Sequence, residues 1–338
     1  MNVMTNKDTK RPHFVPVSYL RAWAGEGDRV AVRRRSEANV FTPNIINIAV
    51  EAGIYGRGDI GRVREEMFGR LEADWPRLRE TLISRGGALD EDDRAAISVF
   101  AAVQLSRTRE RVAQAEFLQA FADFSERRPV TKEDVRAFLT EHHLRFEPSD
   151  AEVEGAWILA SFALNDGQPQ SKDEVMAMLL HIARNEIGPR LTAMFGWTVE
   201  HCRKPTLLTS DRPVMYWRPR SVRDYYEGIG VETCEEIRWP LTPQDLLILR
   251  PRVKDDGIEQ VSTRRFERVN AGVASQCHEF NVGTLRCCRN LQFIPIEKYR
   301  PVLRFNVAPG VRELSDGHEE GLGDILHIWF PAHATKPR

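Results

Sequence analysis

Several features that would assign this chain to a familiar class are missing. No apolar run approaches the roughly 18 residues that a transmembrane helix needs. The first 11 residues are polar and lack the apolar stretch of a signal peptide. The net charge is only −1, which argues against a broadly basic nucleic-acid-binding protein. We therefore expect a cytoplasmic protein without a membrane segment.

Cysteine is scarce, and its pattern does not predict disulfides. The five cysteines are an odd number in a chain of 338 residues, and no two of them form a Cys-x-x-Cys motif. This pattern favours reduced thiols in a reducing compartment.

The best-known catalytic fingerprints are also absent. The sequence has no Gly-x-x-x-x-Gly-Lys loop, no Gly-x-Gly-x-x-Gly before a helix, no His-Glu-x-x-His and no Gly-x-Ser-x-Gly. These absences weaken the cases for a P-loop nucleotide hydrolase, a Rossmann dehydrogenase, a zincin and a serine esterase.

The patterns that are present predict an α+β protein. With 42% hydrophobic and 29% charged residues, the chain should bury a substantial core. Helical periodicity dominates up to about residue 195, and strand-like segments follow. We expect a disordered tail (1–11) and a mainly helical part (12–194), which packs on a mixed or antiparallel sheet in 195–338. No flexible linker divides these parts, so they should form one integrated unit.

Two long helices are predicted in the first part. Apolar residues recur at helical spacing from 59 to 82, where Pro76 should kink or split the helix. A second helix is expected from Asp90 to about Glu126, and its centre is almost entirely apolar.

Two glutamates on the first of these helices are candidate metal ligands. Glu65 and Glu72 are seven residues apart and so share a helical face. That face lies opposite an apolar stripe, which we expect to pack on the core: Val63, Met67 and Leu71. The glutamates are then either solvated charges or, if further structure covers their face, carboxylate ligands of a divalent metal.

An arginine continues the apolar side of the second helix. Gln104 and Arg107 project on the same side as Ile97 and Phe100. A buried arginine keeps its charge and needs a carboxylate or an anionic ligand. Either the helix end leaves the core and Arg107 forms a surface ion pair, or Gln104 and Arg107 line a polar pocket and bind substrate.

Three short oxygen-bearing side chains end a strand near residue 210. Thr209, Ser210 and Asp211 follow two leucines and precede a proline, and strand ends commonly carry site residues. Asp211 is a candidate metal ligand, general base or partner of Arg107, and Thr209 and Ser210 are candidate substrate-binding residues. Alternatively, all three cap a turn through local backbone hydrogen bonds.

A histidine near the start completes the set. His13 lies just before Pro16, which is suited to the first turn of a short helix. An imidazole titrates near neutrality, so His13 could act as a general base, or it could cap the helix or satisfy a buried carbonyl.

Three segments together are similar to one family. His13 to Leu20, Gln104 to Thr108 and Thr209 to Val214 resemble the His-x-Val-Pro-x-x-Tyr-Leu, Gln-x-x-Arg-Thr and Thr-Ser-Asp-x-Pro-Val motifs of a large bacterial family known only as a domain of unknown function (family 4238). Its spaced glutamates, Pro-Leu-x-Pro turn and late-helix asparagine are matched by Glu65, Glu72, Pro240 to Pro243 and Asn270.

The resemblance runs in order from His13 to about Thr284. Two positions depart from it, since the family often has Gln where Val17 stands and Pro where Arg109 stands. The resemblance implies a cytoplasmic bacterial protein and a single architectural unit, and it implies no established activity.

Two functional hypotheses follow from these residues. In the first, they converge where the helical part meets the sheet and form a metal-dependent hydrolase of a phosphate-bearing substrate, such as a nuclease. His13 and Asp211 would be catalytic, and Gln104, Arg107, Thr209 and Ser210 would bind the substrate. A divalent metal would be bound by Glu65, Glu72 and Asp211. In the second, the same cluster belongs to a non-catalytic ligand-sensing or partner-binding protein, for instance in a defence or toxin-related system.

Overall fold

The structure is a computed structural model, and part of the chain is described in it. These residues are 12–35, 37–51, 53–56, 58–108, 131–140, 150, 153–154, 157, 172–218, 230–251, 256–277, 279–291, 303–304, 310–313, 319–322 and 327–328. The predicted tail (1–11) lies outside them. The chain divides into two compact units: 1–109, 176–217 and 235–294 form the first, and the remaining segments form the second.

The helices have the following bounds. They are α1 (Val17–Leu20), α2 (Gly58–Ala73), α3 (Trp75–Arg85), α4 (Glu91–Ser106), α5 (Lys132–Phe138), α6 (Lys172–Ile182), α7 (Gly188–Met194), α8 (Thr263–Gln276) and α9 (Leu285–Arg289). A π-helical turn, Ala183–Ile187, joins α6 to α7. Among the described residues, no helix is long and apolar enough to cross a membrane.

The strands follow mostly in the second half of the chain. They are β1 (Ala31–Arg34), β2 (Val40–Phe41), β3 (Phe195–His201), β4 (Thr209–Ser210), β5 (Met215–Trp217), β6 (Glu236–Pro240), β7 (Asp245–Pro251), β8 (Gly257–Gln260), β9 (Phe280–Gly283), β10 (Leu303–Arg304), β11 (Gly310–Glu313), β12 (Glu319–Leu322) and β13 (His327–Ile328). The α+β prediction is confirmed.

The ends of several helices follow from local sequence. Pro76 lies in the first turn of α3, so the predicted helix over 59–82 is split into α2 and α3. Gly86 has a φ of 62° directly after α3, a conformation that favours glycine. Thr131 and Asp134 form a capping box before α5. The continuous helix predicted from Asp90 to about Glu126 is wrong at residue 107: α4 ends at Ser106, where Arg107 leaves helical geometry, and residues 109–126 lie outside the described part of the chain.

A five-stranded mixed sheet organises the first unit. Its strand order is β5-β6-β7-β3-β8, and neighbours are antiparallel except for the parallel pair β3–β8. Alternate side chains along each strand face opposite sides of the sheet. One side packs on the helical layer through stacked aromatic rings, with Trp239 4.6 Å from Trp75 between centroids and Phe100 4.7 Å from Trp75. The other side packs on α8, where Leu246 and Ile248 share a buried cluster with Phe266.

A second, four-stranded sheet ties the start of the chain to its later part. Its order is β2-β1-β9-β4, and every pair is antiparallel. Arg34 of β1 lies opposite Phe280 of β9, and Ser210 of β4 lies opposite Asn281. The motif at residues 209–210 is therefore placed by its pairing with β9.

The face of α2 that packs inward differs from the sequence prediction. Val63 is 58% exposed, whereas Gly61, Arg64 and Phe68 are buried. The predicted apolar stripe Val63, Met67 and Leu71 lines a surface groove together with Arg184. Periodicity correctly separates the two faces of the helix, but it cannot show which face another layer covers. The covered face is the one that carries Glu65 and Glu72.

Candidate functional site

Arg107 is the most deeply buried cation of the predicted set. It follows the last turn of α4, and its side chain is 1% exposed. Its Nη1 donates a hydrogen bond of 2.9 Å to Oε1 of Glu72, whose side chain is 22% exposed. The Gln104 amide is oriented with its oxygen towards the Arg107 guanidinium, because only this orientation pairs donors with acceptors. In it, the amide oxygen accepts hydrogen bonds from Nη2 at 2.5 Å and from Nε at 3.1 Å. Arg107 therefore pairs with Glu72, and its other donors face a neutral amide.

Two aromatic rings complete what we call the Arg107 cluster: Tyr55, Phe68, Glu72, Gln104 and Arg107. The guanidinium lies 4.8 Å from the centroid of the Phe68 ring, and the Tyr55 ring lies 4.5 Å from the same centroid. Burial raises the pKa of Tyr55 to about 12, although the charge of Arg107 opposes this shift. Tyr55 is thus a neutral hydrogen-bond donor at physiological pH.

His13 and Glu65 lie close to this cluster. The backbone carbonyl of His13 accepts a hydrogen bond of 2.7 Å from the Tyr55 hydroxyl, and His13 bridges Val50 in an antiparallel pair. Glu65 is half-buried, and its charge contributes to the raised pKa of Tyr55. The structure therefore brings the side chains of Glu72, Gln104 and Arg107 into contact, with Glu65 and the backbone of His13 close to Tyr55 of the same cluster.

Asp211 belongs to a different network. Its Oδ2 accepts a hydrogen bond of 2.5 Å from the backbone N–H of Glu279. Burial raises the pKa of Cys277 to about 12, and the charge of Asp211 adds to the shift. The Nη2 of Arg35 donates to the Cys277 carbonyl at 2.8 Å. In the described contacts, Asp211 therefore helps to hold β9 and the end of α8.

Thr209 and Ser210 make local and interlayer contacts. Tyr19 donates a hydrogen bond of 2.6 Å to the Pro240 carbonyl, so the 2.7 Å contact between Thr209 and the Tyr19 hydroxyl is donated by Thr209. The Ser210 hydroxyl donates to the Arg212 carbonyl and accepts from the Arg212 N–H, both at 3.1 Å. Thr209 therefore links the buried strand β4 to α1, and Ser210 closes a tight turn.

The predicted metal ligands are distributed over these two networks. Within the described residues, no group of three or more His, Cys, Asp or Glu side chains is arranged to hold a metal ion. The cation that contacts Glu72 is the guanidinium of Arg107. Glu65 and Glu72 share the covered face of α2, while Asp211 contacts the segment around Glu279.

A histidine–aspartate pair at the end of β3 was not predicted as a site. Nδ1 of His201 lies 2.7 Å from Oδ1 of Asp245, and Thr242 donates a hydrogen bond of 2.5 Å to Oδ2. Because a carboxylate only accepts, Nδ1 carries a proton, and Nε2 is on the far side of the ring. The Pro-Leu-x-Pro turn that precedes Asp245 was the sequence signal that could have directed attention here.

Arg79 of α3 forms no ion pair with any of the described residues. Among the described residues, its Nη1 is buried without a hydrogen-bond partner. Burial lowers the pKa of Arg79, and the nearby charge of Asp245 is among the effects that oppose the shift. Both oxygens of Asp245 are already occupied by His201 and Thr242.

A charged network covers the α8 side of the five-stranded sheet. It contains Glu200, Glu236, Arg238, Arg250 and Arg265. Arg265 donates to both oxygens of Glu200 at 2.8 and 2.9 Å, and Arg238 donates to Glu236 at 2.7 Å. The Arg238 guanidinium also stacks 3.8 Å from the ring centroid of Trp217. These pairings explain how the charged residues of β6, a strand that the sequence reasoning missed, can be buried.

Comparison with known proteins gives a family and nothing more specific. The model of a family described as a protein of unknown function (DUF4238) matches residues 11–283, so the chain belongs to that family. No curated protein and no solved structure is significantly similar to it. The five cysteines are unpaired thiols, as the sequence predicted.

Proposed function

We propose that this member of the DUF4238 family binds a phosphate-bearing ligand at the Arg107 cluster. One observation carries the proposal: the guanidinium is 1% exposed, yet the carboxylate that compensates it, Glu72, is 22% exposed. The side of Arg107 that carries its counter-ion is therefore the side that opens towards solvent. A phosphate group that entered from there could replace Glu72 as the partner of Arg107.

The chemistry of the cluster suits a phosphate. Arginine presents a rigid fork of donors that matches phosphate oxygens, and its charge cannot be lost by deprotonation. The Gln104 oxygen fixes Nε and Nη2, and stacking on Phe68 holds the guanidinium plane. The site is thus preorganised, which lowers the entropic cost of binding.

A metal-dependent hydrolase, nuclease-like in its chemistry, is a second candidate for the same site. The observation that favours it is that Glu65 and Glu72 lie on the covered face of α2, beside the His13 segment. These carboxylates would bind a divalent metal. His13 would take a proton from water, the resulting hydroxide would attack phosphorus, and the phosphate–oxygen bond would break as the leaving oxygen gains a proton. The same reaction would use three residues of the second network only if that network contacts the same ligand. Asp211 would then be catalytic and a metal ligand, and Thr209 and Ser210 would bind the substrate.

The first proposal extends to a non-catalytic role. A protein that binds the ligand without converting it would be a sensor or partner-binding protein, for instance in a bacterial defence or toxin-related system. The net charge and the unpaired cysteines are compatible with the cytoplasmic location that we propose for it.

Ligand binding is tested by thermal shift with inorganic phosphate, nucleotides and short oligonucleotides at constant ionic strength. The variants are Arg107→Lys, which keeps the charge but removes the fork, and Glu72→Gln, which removes the competing carboxylate. Glu66→Gln is the control, because Glu66 lies on the exposed face of α2. We expect at least tenfold weaker binding in R107K, tighter binding in E72Q and no change in E66Q. Equal binding by all three variants would exclude the Arg107 cluster.

Turnover separates the two candidates. Purified protein is incubated with Mg²⁺ or Mn²⁺ and a chromogenic phosphodiester, beside a His13→Asn variant. Release of product that is lost in H13N and R107K supports the hydrolase. Binding without product in any condition supports the sensor.

A further inference from the structure

The end of β3 carries a second constellation that the Arg107 cluster does not use. His201 is the last residue of β3 and Asp245 the first of β7, and the two lie directly opposite each other in the antiparallel register. The His201 side chain is 32% exposed, whereas that of Asp245 is 9% exposed. The aspartate is therefore the buried support of a histidine that reaches solvent.

Hydrogen bonds hold the carboxylate of Asp245 in a fixed position. Thr242 donates to Oδ2 of Asp245, and its hydroxyl oxygen accepts from the backbone N–H groups of Gln244 at 3.0 Å and of Asp245 at 3.1 Å. Both carboxylate oxygens are thereby fixed before any ligand arrives. This arrangement determines the tautomer and the orientation of the His201 ring, and it leaves Nε2 without a hydrogen-bond partner in the described part of the chain.

Arg79 lies on α3, which crosses the face of the sheet that carries the side chains of His201 and Asp245. Trp75 at the start of α3 stacks on Trp239, which pairs with Leu247 two residues after Asp245, and Gly86 directly after α3 approaches Gly257 of β8. Across the described ranges, the guanidinium forms no hydrogen bond or ion pair, and its Nη1 is buried. Burying an arginine donor without a partner is costly, because the lost hydration is not replaced. Other half-buried arginines of this unit have partners: Arg94 bonds to three carbonyl groups and to Asp256. An arginine without a partner, on the same face of the sheet as an oriented histidine, has donors available for an anionic group.

We propose that Arg79 and His201 bind a phosphate or carboxylate group beside Asp245, so that this end of β3 and β7 is a second ligand site. The guanidinium of Arg79 supplies a positive charge and parallel N–H donors for the anion, and the imidazole of His201 supplies a further hydrogen bond through Nε2. Asp245 does not touch the ligand and acts as a positioning residue for the imidazole. The site is distinct from the Arg107 cluster, because it shares no residue with it.

The test measures binding of inorganic phosphate and of acetate by calorimetry at constant ionic strength. Arg79→Met removes the guanidinium but keeps the apolar stem, and His201→Asn keeps a donor for Asp245 while removing Nε2. Arg85→Met, on the exposed last turn of α3, is the matched control. These variants are made in an Arg107→Lys background, so that the Arg107 cluster does not contribute to phosphate binding. We expect saturable binding in this parent protein and with R85M, and at least tenfold weaker binding with R79M or H201N. Binding of phosphate alone would identify phosphate as the group recognised, and binding of both anions would include carboxylates.

Two further readouts distinguish an anion site at Arg79 from a purely structural role of this arginine. The imidazole ¹⁵N signal of His201 should shift on titration with the bound anion, and this shift should be absent in R79M. R79M should unfold at the same temperature as R85M or higher when no anion is present, because a cation without a partner is removed. The proposal is overturned if neither anion binds saturably to the R107K parent, if R79M binds as well as that parent, or if R79M is markedly less stable than R85M. Phosphate binding that is lost in R107K but kept in R79M would belong to the Arg107 cluster instead.

Discussion

The Nη1 of Arg107 and the Oε1 of Glu72 are 2.9 Å apart, although the two residues are separated by 35 positions in the chain. This pair joins the end of α4 to the covered face of α2. It compensates the buried charge of Arg107 with the partly exposed carboxylate of Glu72.

Removing one member of this pair should destabilise the fold. Glu72→Gln or Arg107→Met leaves the other charge poorly compensated, and we expect each to cost ~2 kcal/mol of the free energy of unfolding. The double variant should recover part of that loss. Chemical denaturation of the four proteins in a double-mutant cycle measures the coupling. Additive losses would show that the two side chains do not interact in solution.

The orientation of α2 can be tested with two truncations on opposite faces. Phe68→Ala should cost about 3 to 5 kcal/mol, because Phe68 is buried against Tyr55 and the Arg107 guanidinium. Val63→Ala should change stability by less than about 0.5 kcal/mol, because Val63 is exposed. Denaturant midpoints report both values, and the reverse order would favour the face that the sequence alone suggested.

Stability should decline in acid through Glu236. Burial alone would raise the pKa of Glu236, but Arg238, Arg265 and Arg250 hold it below the usual value of 4.5. The ionised form is therefore favoured in the folded state. Its contribution is present above pH 4.5 and is lost as the pH falls through the lower folded pKa.

The matched variants for this pH effect are Glu236→Gln and Glu235→Gln. Glu235 is an exposed neighbour, so its loss should leave the pH dependence unchanged. The unfolding free energy of E236Q should vary less between pH 6 and pH 3 than that of the native protein; these two pH values, roughly, bracket the titration of an ordinary glutamate. An identical pH profile in E236Q would show that Glu236 does not contribute.

Two glycines offer a direct contrast between close packing and open space. A Cβ on Gly87 would lie 2.5 Å from the Trp197 carbonyl oxygen, so Gly87→Ala should cost about 1 to 3 kcal/mol. Gly69 has nothing within 4 Å of the same position on α2, and Gly69→Ala should stabilise the helix by about 0.5 to 1 kcal/mol. Thermal unfolding of both variants checks the signs, and a stabilised G87A would contradict the close approach of this loop to β3.

The sequence was sufficient to predict elements that depend on residues close together in the chain. The split between α2 and α3 at Pro76 was predicted because it depends on neighbours in the chain. The capping box of α5 and the apolar run that forms β7 have equally local causes. Strand β6 was missed, because Glu236 and Arg238 resemble solvated residues until their partners from β7 and α8 are known.

The candidate site was predicted less completely than the fold. The sequence placed Glu65 and Glu72 on one face of a helix and identified Arg107 as a cation in need of a partner. It offered Asp211 as that partner, whereas the structure pairs Arg107 with Glu72. His201 and Arg79 were not predicted as site residues, because the sequence alone does not show which groups an imidazole or a guanidinium will face after folding.

The sequence by itself therefore determined the class of the protein, several of its helix ends, several of its apolar strands and its family. Tertiary structure alone decided which face of α2 is covered, which carboxylate compensates Arg107 and that Arg79 has no partner among the described residues. The physical reason is the range of the interactions: caps, turns and periodicity act over a few residues, whereas burial and charge compensation depend on segments brought together by folding.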